Sequence, residues 1–424
     1  MNENNYLKRL FQKYYNEKQD WIPKIDFFEK REFGFIPWDK EIMIRHVAFN
    51  NLEEFRNKLA LDSPKHVYSS GTIYEEPDHL NMNEKGYLGC DLIIDIDVDH
   101  FYTPCKDEHD IWYCKECGKS GKGMHGKTCK KCGSNKFKTL AWICDDCLEI
   151  AKAAIKKLIE NFLIPDFGIE ESELNIAFSG HRGYHIKIEN EKIRLLSSEG
   201  RREIADYLSG NNISFEVLGF RSLNNNIFGL RKQNIGWSQK IMEKVEEILH
   251  KSNLEIEHLL MKFNFNKNQI QSFNNSKEYF LKIISNENGP NVWAIEGFDI
   301  TSWLNFLNGI VGEIGVEIDE PVTIDIHRLI RYPGTLHGKT GFKVQELKLE
   351  ELDSFFPLDE SNKNLDPIVF YSEKLNQKLE VVENAIPASK IKGETFGPYT
   401  QGEKIEVPNH IAILYLCKDL ARLL

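Results

Sequence analysis

The stretch "DLIIDIDVDH", residues 91–100, decides how this chain is read. Asp95, Asp97 and Asp99 alternate with Ile94, Ile96 and Val98, the period-two pattern of a strand with one apolar and one acidic face. Carboxylates two residues apart on a strand hang from Cα atoms about 6.6–7 Å apart, with parallel side chains. Burying unpaired charges of this kind is expensive, so a compensating cation is expected on that face. Oxygen-rich sites suit Mg2+ or Mn2+, and two such ions about 3.5–4 Å apart drive phosphoryl transfer. Asp95 and Asp97 are read as metal ligands, with Asp99 and His100 at the rim. The plain alternative is an edge strand with a solvated polar face; the lack of Lys or Thr on that face weighs against it.

The rest of the composition limits the function classes. The chain has 424 residues, 41% hydrophobic and 28% charged, which predicts a soluble globular protein with core enough for two to three domains. Its net charge of −11 excludes nucleic-acid binding over the whole surface, so any polyanion must meet a local basic or metal-filled site. Charges interrupt every apolar run of the N-terminal stretch, so no signal peptide is expected. No run approaches the ~20 apolar residues of a membrane span. The expected compartment is the cytoplasm, with nucleoid association, or the nucleus in a eukaryote.

Outward from the aspartates, helical spacing of Leu7, Leu10, Phe11 and Tyr14 predicts an opening helix over 5–15. Strands are expected at 41–49, 66–76, 174–178, 184–189 and 322–326, the last being "VTIDI". A helix is expected over 148–168, ended by Pro165 and Gly168. Helical patterns dominate 191–310, with Ile241, Val245, Ile248 and Leu249 on one face and Ser238 as N-cap. The stretch 355–407 is polar and loop-rich, and a buried helix closes the chain.

Two further segments carry cations. "SGHRGYH" (179–185) joins two strands; its glycines let backbone amides approach an anion, and Arg182 suits bidentate phosphate contact. "RLIRYPGTLHGKTG" (328–341) gathers Arg328, Arg331, His337 and Lys339 about a Pro-Gly turn, which suits a triphosphate. Read as ordinary surface, these are a polar hairpin and a basic loop. Asp319 and Asp325 lie just upstream of the second, and either completes a carboxylate triad.

Eight of the nine cysteines lie between 90 and 147. In a reducing compartment such clustering favours metal over disulfides. Cys114, Cys117, Cys129 and Cys132 form two C-x-x-C-G knuckles, a zinc-ribbon pattern. Cys144 and Cys147, with Cys105 and His109, make a second Cys3His set, for which His100, His125 and Cys90 compete. Cys90 and Cys417 are read as buried small apolar residues. "GKGMHGKT" (121–128) matches the phosphate-loop pattern, but it lies between zinc knuckles rather than between a strand and a helix. It is expected to be a mobile loop of the ribbon.

In combination these residues resemble the small, catalytic subunit of archaeal and eukaryotic-type DNA primase. The landmarks run in order: Arg31-Glu32-Phe33-Gly34-Phe35, then "IMIRHVAF" with Arg45, then Asp95-Ile96-Asp97. A zinc motif leading into a helix comes next, then Ser179 to His185, then an aspartate, "LIR" and "LHGKTG". The resemblance covers most of 1–345. It implies an α/β (α+β) catalytic core of two sheet-bearing modules, with a helical insertion and a zinc-binding insertion. Accordingly 1–104, 148–190 and 311–424 would be core, 105–147 the zinc insertion with two sites, and 191–310 the helical insertion.

By the same resemblance Asp95, Asp97 and Asp319 bind two Mg2+ or Mn2+ ions, with Asp319 preferred over Asp325 because "IDEPV" falls where the family's third aspartate does. Ser179, Arg182, His185, Arg331, His337 and Lys339 hold the incoming triphosphate, with Arg45 beside them. Cys105, His109, Cys144 and Cys147 match the family's shorter zinc motif, and the ribbon of Cys114, Cys117, Cys129 and Cys132 departs from it, giving one or two Zn2+. The implied activity is synthesis of short RNA primers on single-stranded DNA from ribonucleoside triphosphates, with a large primase subunit as partner and no membrane. The competing readings are a repair or plasmid-type primase-polymerase that prefers deoxynucleotides, against which the lack of a fused helicase or ligase region weighs, and a non-catalytic zinc-ribbon nucleic-acid-binding protein.

Overall fold

The computed structural model describes residues 2–224, 226–232, 235–286, 289–372 and 374–424, the side chain of His100 excepted. Two compact units emerge: Met1–Lys157, Ile169–Arg202 and Ile318–Leu424 form the first, Leu158–Gly168 and Glu203–Glu317 the second. Among the described residues no helix is long and apolar enough to cross a membrane.

The first unit carries two principal antiparallel sheets, each built from distant segments. In one, the order is Leu329–Arg331, His66–Tyr74, Arg31–Ile36, Ile44–Val47, with Tyr87–Cys90 also on His66–Tyr74. In the other, it is Gln345–Leu347, Leu174–Phe178, Gly183–Ile188, Leu92–Asp97. The mixed α/β class predicted from the sequence is the class observed.

The aspartate strand is thus the edge of its sheet. Leu92, Ile94 and Ile96 fill the core, while Asp95 and Asp97 on the opposite face are half-buried. The free edge is covered locally: the Asp319 N–H donates to Asp95 O at 2.9 Å, and the short helix Glu320–Ile324 follows. Covering an edge in this way blocks pairing with foreign strands. On the paired side His185 stands opposite Asp95 and Gly183 opposite Asp97. A Cβ on Gly183 would lie 2.4 Å from Ile96 O, so only glycine permits this approach.

Aromatic packing anchors the other sheet. Phe33, Phe55 and Tyr332 meet with ring centroids 4.9 Å (Phe33–Phe55) and 4.7 Å (Phe55–Tyr332) apart, and the Tyr332 hydroxyl donates to Pro23 O at 2.6 Å. Tyr332 therefore fixes the end of the strand Leu329–Arg331, whose last residue is Arg331. The opening helix runs Glu3–Glu17, started by Asn2, whose side chain accepts from the Asn4 N–H.

Entry to the aspartate strand is clamped by three arginines. Fully buried Asp91 receives Arg31 Nη2 at 2.6 Å and Arg194 Nε at 2.5 Å; Arg201 donates to the carbonyls of Asp91 and Cys90. Arg31, in the first sheet, also donates to Gly71 O at 2.6 Å and Asp26 O at 3.0 Å, so its bond to Asp91 ties that sheet to the start of the aspartate strand.

The second unit is mainly helical: Gly236–His250, Asn253–Lys262, Lys267–Ile284 and Ile300–Ile314. Its core is aromatic, with Trp293 and Trp303 centroids 4.8 Å apart and Phe280 against both. Lys240 Nζ reaches both carboxylate oxygens of Asp166 at 2.7 Å within this unit.

Several expectations are corrected. "VTIDI" is not a strand: Asp319 in the cap position and Pro321 in the first turn start a helix that overrides the β-branched residues. The aspartate strand stops at Asp97, whose Oδ1 accepts from the Asp99 N–H at 2.9 Å and starts a 3-10 turn, so Asp99 lies beyond the strand's end. Only Ile44–Val47 of 41–49 is strand, with His46 at φ +61° breaking its regularity. Ser238 is not the N-cap; Ile235 is, and Ser238 donates from inside the helix to Arg231 O at 2.7 Å. The closing helix ends at Cys417 and a strand, Ala421–Leu423, follows. It pairs with Asn376–Val381, which also pairs with Lys404–Pro408, so 355–407 holds strands as well as loops.

Replacing Asp91 with Ala strands buried Arg31 without its carboxylate. Urea denaturation is expected to show a loss of about 3–5 kcal/mol, several times that of any exposed ion-pair deletion in the same unit.

Candidate active site

Asp95 and Asp97 project from the edge strand, and Asp319 is held against it by its backbone bond to Asp95. Burial, then the charges of Asp97 and Asp319, push the Asp95 carboxyl up to about 7; Arg331 and Arg328 pull the other way. A like-charge effect of this kind requires that the carboxylates stand close, and an all-oxygen acidic set suits a hard divalent cation. Asp325 is exposed, accepts the His327 N–H at 2.9 Å, and is not among the groups that raise Asp95. A second grouping exists beside it: Asp97, Asp99 and His181 each bring a ligand atom within 4.8 Å of the others.

Facing the aspartates is a cleft of about 110 Å³ lined by Ser179, His181, His185, Arg331, His337 and Lys339, with Asp95, Asp97 and Asp99 on its acidic side. Two loops are stitched together to build it. The Ser179 N–H donates to Gly183 O at 2.9 Å, closing the turn, and Thr340 Oγ1 donates to Gly180 O at 2.6 Å, binding turn to basic loop. Gly180 has φ +80°, and a Cβ there would sit 2.8 Å from the His337 Cβ.

The histidines are buried and packed among cations. His181 and His337 stack with centroids 5.2 Å apart, and His66 meets His337 edge-on at 5.1 Å. Arg331 Nη1 lies 2.9 Å from His66 Nδ1, and the Gly338 N–H donates to that same nitrogen at 3.2 Å. Burial first, then Arg331 among other cations, holds His66 and His337 well below the ordinary imidazole range; burial and then Lys418 do so for His181. Burial, then Arg331, brings His185 down to about 3, and its buried Nδ1 has no hydrogen-bond partner among the described residues. Burial and the neighbouring cations thus disfavour the charged form of all four rings.

Not every expected residue lines the cleft. Arg182 lies behind it: Nε donates to Asp99 Oδ1 at 2.7 Å, and Nη1 to both Asp110 oxygens at 2.9 Å and to Trp142 O at 2.8 Å. Asp99 therefore pairs with a neighbouring base. Arg45 donates to Glu32 at 2.9 Å and to His327 O at 2.9 Å, away from the cleft lining. His181, His66 and Lys418 were not singled out by sequence reasoning. His181 sits within the glycine turn and had a signal available. Lys418 had none: it follows the closing helix, donates to Ala141 O at 2.7 Å and lies 3.2 Å from His181 Nε2. Burial, then Arg182 and Lys339, brings its ammonium down to about 7.

The cysteines form two four-ligand groups, Cys105–His109–Cys144–Cys147 and Cys114–Cys117–Cys129–Cys132, each with ligand atoms within 4.8 Å of one another. Cys114–Cys132 and Cys117–Cys129 sulfurs are 3.5 and 3.7 Å apart, close to the edge of a tetrahedron with Zn–S bonds of about 2.3 Å. Both groups fit zinc. His125 instead stacks on Phe137, Cys90 is buried, and the side chain of His100 lies outside the described residues. His109 places Nε2 3.1 Å from Cys144 Sγ and Nδ1 2.8 Å from Asp110, the orientation a second carboxylate imposes on a metal-bound imidazole. Asp110 then reaches Arg182, and Arg182 reaches Asp99.

The family model described as DNA primase small subunit matches residues 137–348, half of the chain. The chain is 31% identical over 441 residues to the DNA primase small subunit PriS of Methanothrix thermoacetophila, covering 98% of each. It is 30% identical over 449 residues to that of Methanosarcina barkeri, covering 98% and 95%. It is 28% identical over 425 residues to that of Nitrosopumilus maritimus, covering 99% of each. The chain belongs to the DNA primase small-subunit family. Membership makes it a nucleotidyltransferase of the primase type, a component of DNA replication. The family match spans the glycine turn and the basic loop, and the full-length relatives extend the likeness across the aspartate strand.

Asp95 gives this primase small subunit a pH signature. Its folded value, about 7, lies above the ordinary carboxyl value of about 3.9, so the favourable contribution of the neutral form is complete below pH ~4 and lost as pH rises through ~7. In metal-free protein the denaturation midpoint is expected to fall across that window. Asp95→Asn should flatten this part of the profile, and an unchanged slope would contradict the crowded-carboxylate geometry.

Proposed function

We propose that the chain is the catalytic subunit of a template-directed RNA-primer synthase, joining a 3′-hydroxyl to the α-phosphate of an incoming ribonucleoside triphosphate with loss of pyrophosphate. The observation that carries this reading is the opposition of Asp95, Asp97 and the Asp319 backbone tether to a wall of His181, His185, Arg331, His337 and Lys339 across one small cleft. Asp95, Asp97 and Asp319 hold the divalent ions. Two Mg2+ or Mn2+ ions, when bound, lower the barrier by activating the attacking oxygen and neutralising the leaving group.

Arg331 and Lys339 take the outer phosphates as charged donors, and His337, His181 and His185 approach as neutral rings. As the polyanion displaces water, the imidazoles gain a reason to protonate, so nucleotide binding draws protons into the site. Ser179 and the amides of the Gly180–Gly183 turn offer short donors to the same phosphates. Arg182 acts through Asp99 and Asp110, keeping the turn in place. Arg45 steadies Glu32 beside His327 rather than reaching the cleft.

The catalytic core is 1–104, 148–190 and 311–424, interrupted by the zinc insertion 105–147 and the helical insertion 191–310. Both zinc groups are closed at four protein ligands and serve structure or docking, not chemistry. A large primase subunit is the expected partner.

Incorporation of labelled ribo- and deoxynucleotides on unprimed single-stranded DNA tests the reading, with Mg2+ or Mn2+ and with a large subunit supplied. The Asp95→Ala, Asp97→Ala double variant should lose at least about a hundredfold in rate, the scale of removing metal-held charge stabilisation. Retention of more than a tenth of wild-type synthesis would remove the metal-site assignment. Preference for deoxynucleotides in the wild type would move the chain to the primase-polymerase reading.

A further inference from the structure

The four-cysteine ribbon is unlike the rest of the chain. Residues 111–140 hold eight lysines and one glutamate, a local excess of seven positive charges in a chain of net charge −11. All eight lysines are exposed. Lys136 pairs with Glu116 and Lys138 with Glu383. No carboxylate partner is found among the described residues for Lys115, Lys119, Lys122, Lys127, Lys130 or Lys131. Four thiolates on Zn2+ carry a net charge of about −2, which leaves the ribbon cationic.

The lysines surround a small sheet, with Lys122 and Lys138 on its strands. Strands Ile111–Cys114, Ser120–Lys122 and Phe137–Leu140 form a three-stranded sheet. Trp112 packs edge-on against Phe137 at 5.6 Å, and exposed His125 stacks on Phe137 at 4.1 Å. Met124, next to His125 in sequence, is exposed. Cations interleaved with flat rings are the pattern that tracks a phosphate backbone and stacks loose bases, and lysine serves it as a point charge without sequence reading.

The platform is also tied to the cleft. The Gly123 N–H donates to Asp110 O at 2.9 Å, and the Asp110 carboxylate holds Arg182, which holds Asp99 at the cleft rim. The phosphate-loop look-alike at 121–128 is therefore the tip of this basic platform. Its Lys122 and Lys127 face solvent rather than a nucleotide pocket.

We infer that the four-cysteine ribbon is a sequence-independent binding site for single-stranded nucleic acid, holding the template strand by its phosphates beside the catalytic cleft. The identity of the polyanion rests on the primase reading; the site itself rests on the ribbon's charge and rings.

Fluorescence anisotropy of a labelled oligodeoxythymidylate, titrated with full-length protein from 50 to 200 mM salt, tests it. Each phosphate that a lysine neutralises on a single strand contributes about 0.7 to the slope of log K against log salt. In the variant K115Q/K119Q/K127Q/K130Q/K131Q that slope should shrink by about 2 or more. Affinity at 100 mM salt should fall at least tenfold. Zinc content per chain, equal to wild type, shows that the exposed substitutions leave the fold intact. The matching five-lysine-to-arginine variant should bind as wild type does.

An unchanged slope with affinity within threefold would overturn the inference, and so would equal, equally ribbon-dependent affinity for a blunt duplex of the same length. Primer synthesis is read separately. If wild type synthesises primers and the glutamine variant binds normally, the ribbon site alone fails. If no synthesis occurs but binding still depends on the lysines, the primase reading fails and the ribbon site stands.

Discussion

Three carboxylates crowded against one edge strand are the constraint on which the rest depends. Burial, then the charges of Asp97 and Asp319, disfavour the ionised form of Asp95 and push its carboxyl up to about 7, against the pull of Arg331 and Arg328. The surrounding architecture keeps the groups from relaxing apart. Asp91 is locked by Arg31 and Arg194 at the start of the strand. Asp319 is bound to the Asp95 carbonyl, and Gly183 brings the neighbouring strand too close for any side chain at its position.

The opposite wall carries the complementary strain. Four histidines and Lys418 gather beside Arg331 and Lys339, and burial first, then the neighbouring cations, lowers the proton affinity of the histidines and of Lys418. Such a wall is poor at holding protons and good at receiving a polyanion, because a triphosphate relieves the mutual repulsion of the fixed cations. Acidic floor and basic wall are built from segments scattered along the chain, the strand of Asp95 and Asp97, the turn Ser179–His185 and the loop from Arg331 to Lys339. They are fastened by short backbone and hydroxyl bonds, such as Thr340 to Gly180. The line from His109 through Asp110 and Arg182 to Asp99 joins the nearer zinc group to the same rim.

Much of this was legible in the chain because it is local. The alternation at 92–97 reveals a strand, and the C-x-x-C spacings reveal two ligand groups whose atoms converge. What was not legible depends on the meeting of distant segments or on competing local signals. "VTIDI" carries β-branched residues, yet a cap and a proline decide for helix. Arg182 has the chemistry of a phosphate ligand, but Asp99 and Asp110 reach it first. Lys418 lies in an apolar closing segment whose pattern gives no hint of a charged cleft, and only the fold brings it to His181. His66 sits in a strand pattern where a buried histidine reads as core; its meeting with Arg331 is likewise a matter of sheet order.

Electron paramagnetic resonance of Mn2+ titrated into the protein tests the central claim most directly, with and without a non-hydrolysable ribonucleoside triphosphate. The account predicts one tight Mn2+ in the free protein and about two once nucleotide fills the cleft, with Asp319→Asn weakening occupancy at least tenfold. Mn2+ binding that is unchanged in Asp319→Asn and in Asp95→Asn would contradict it.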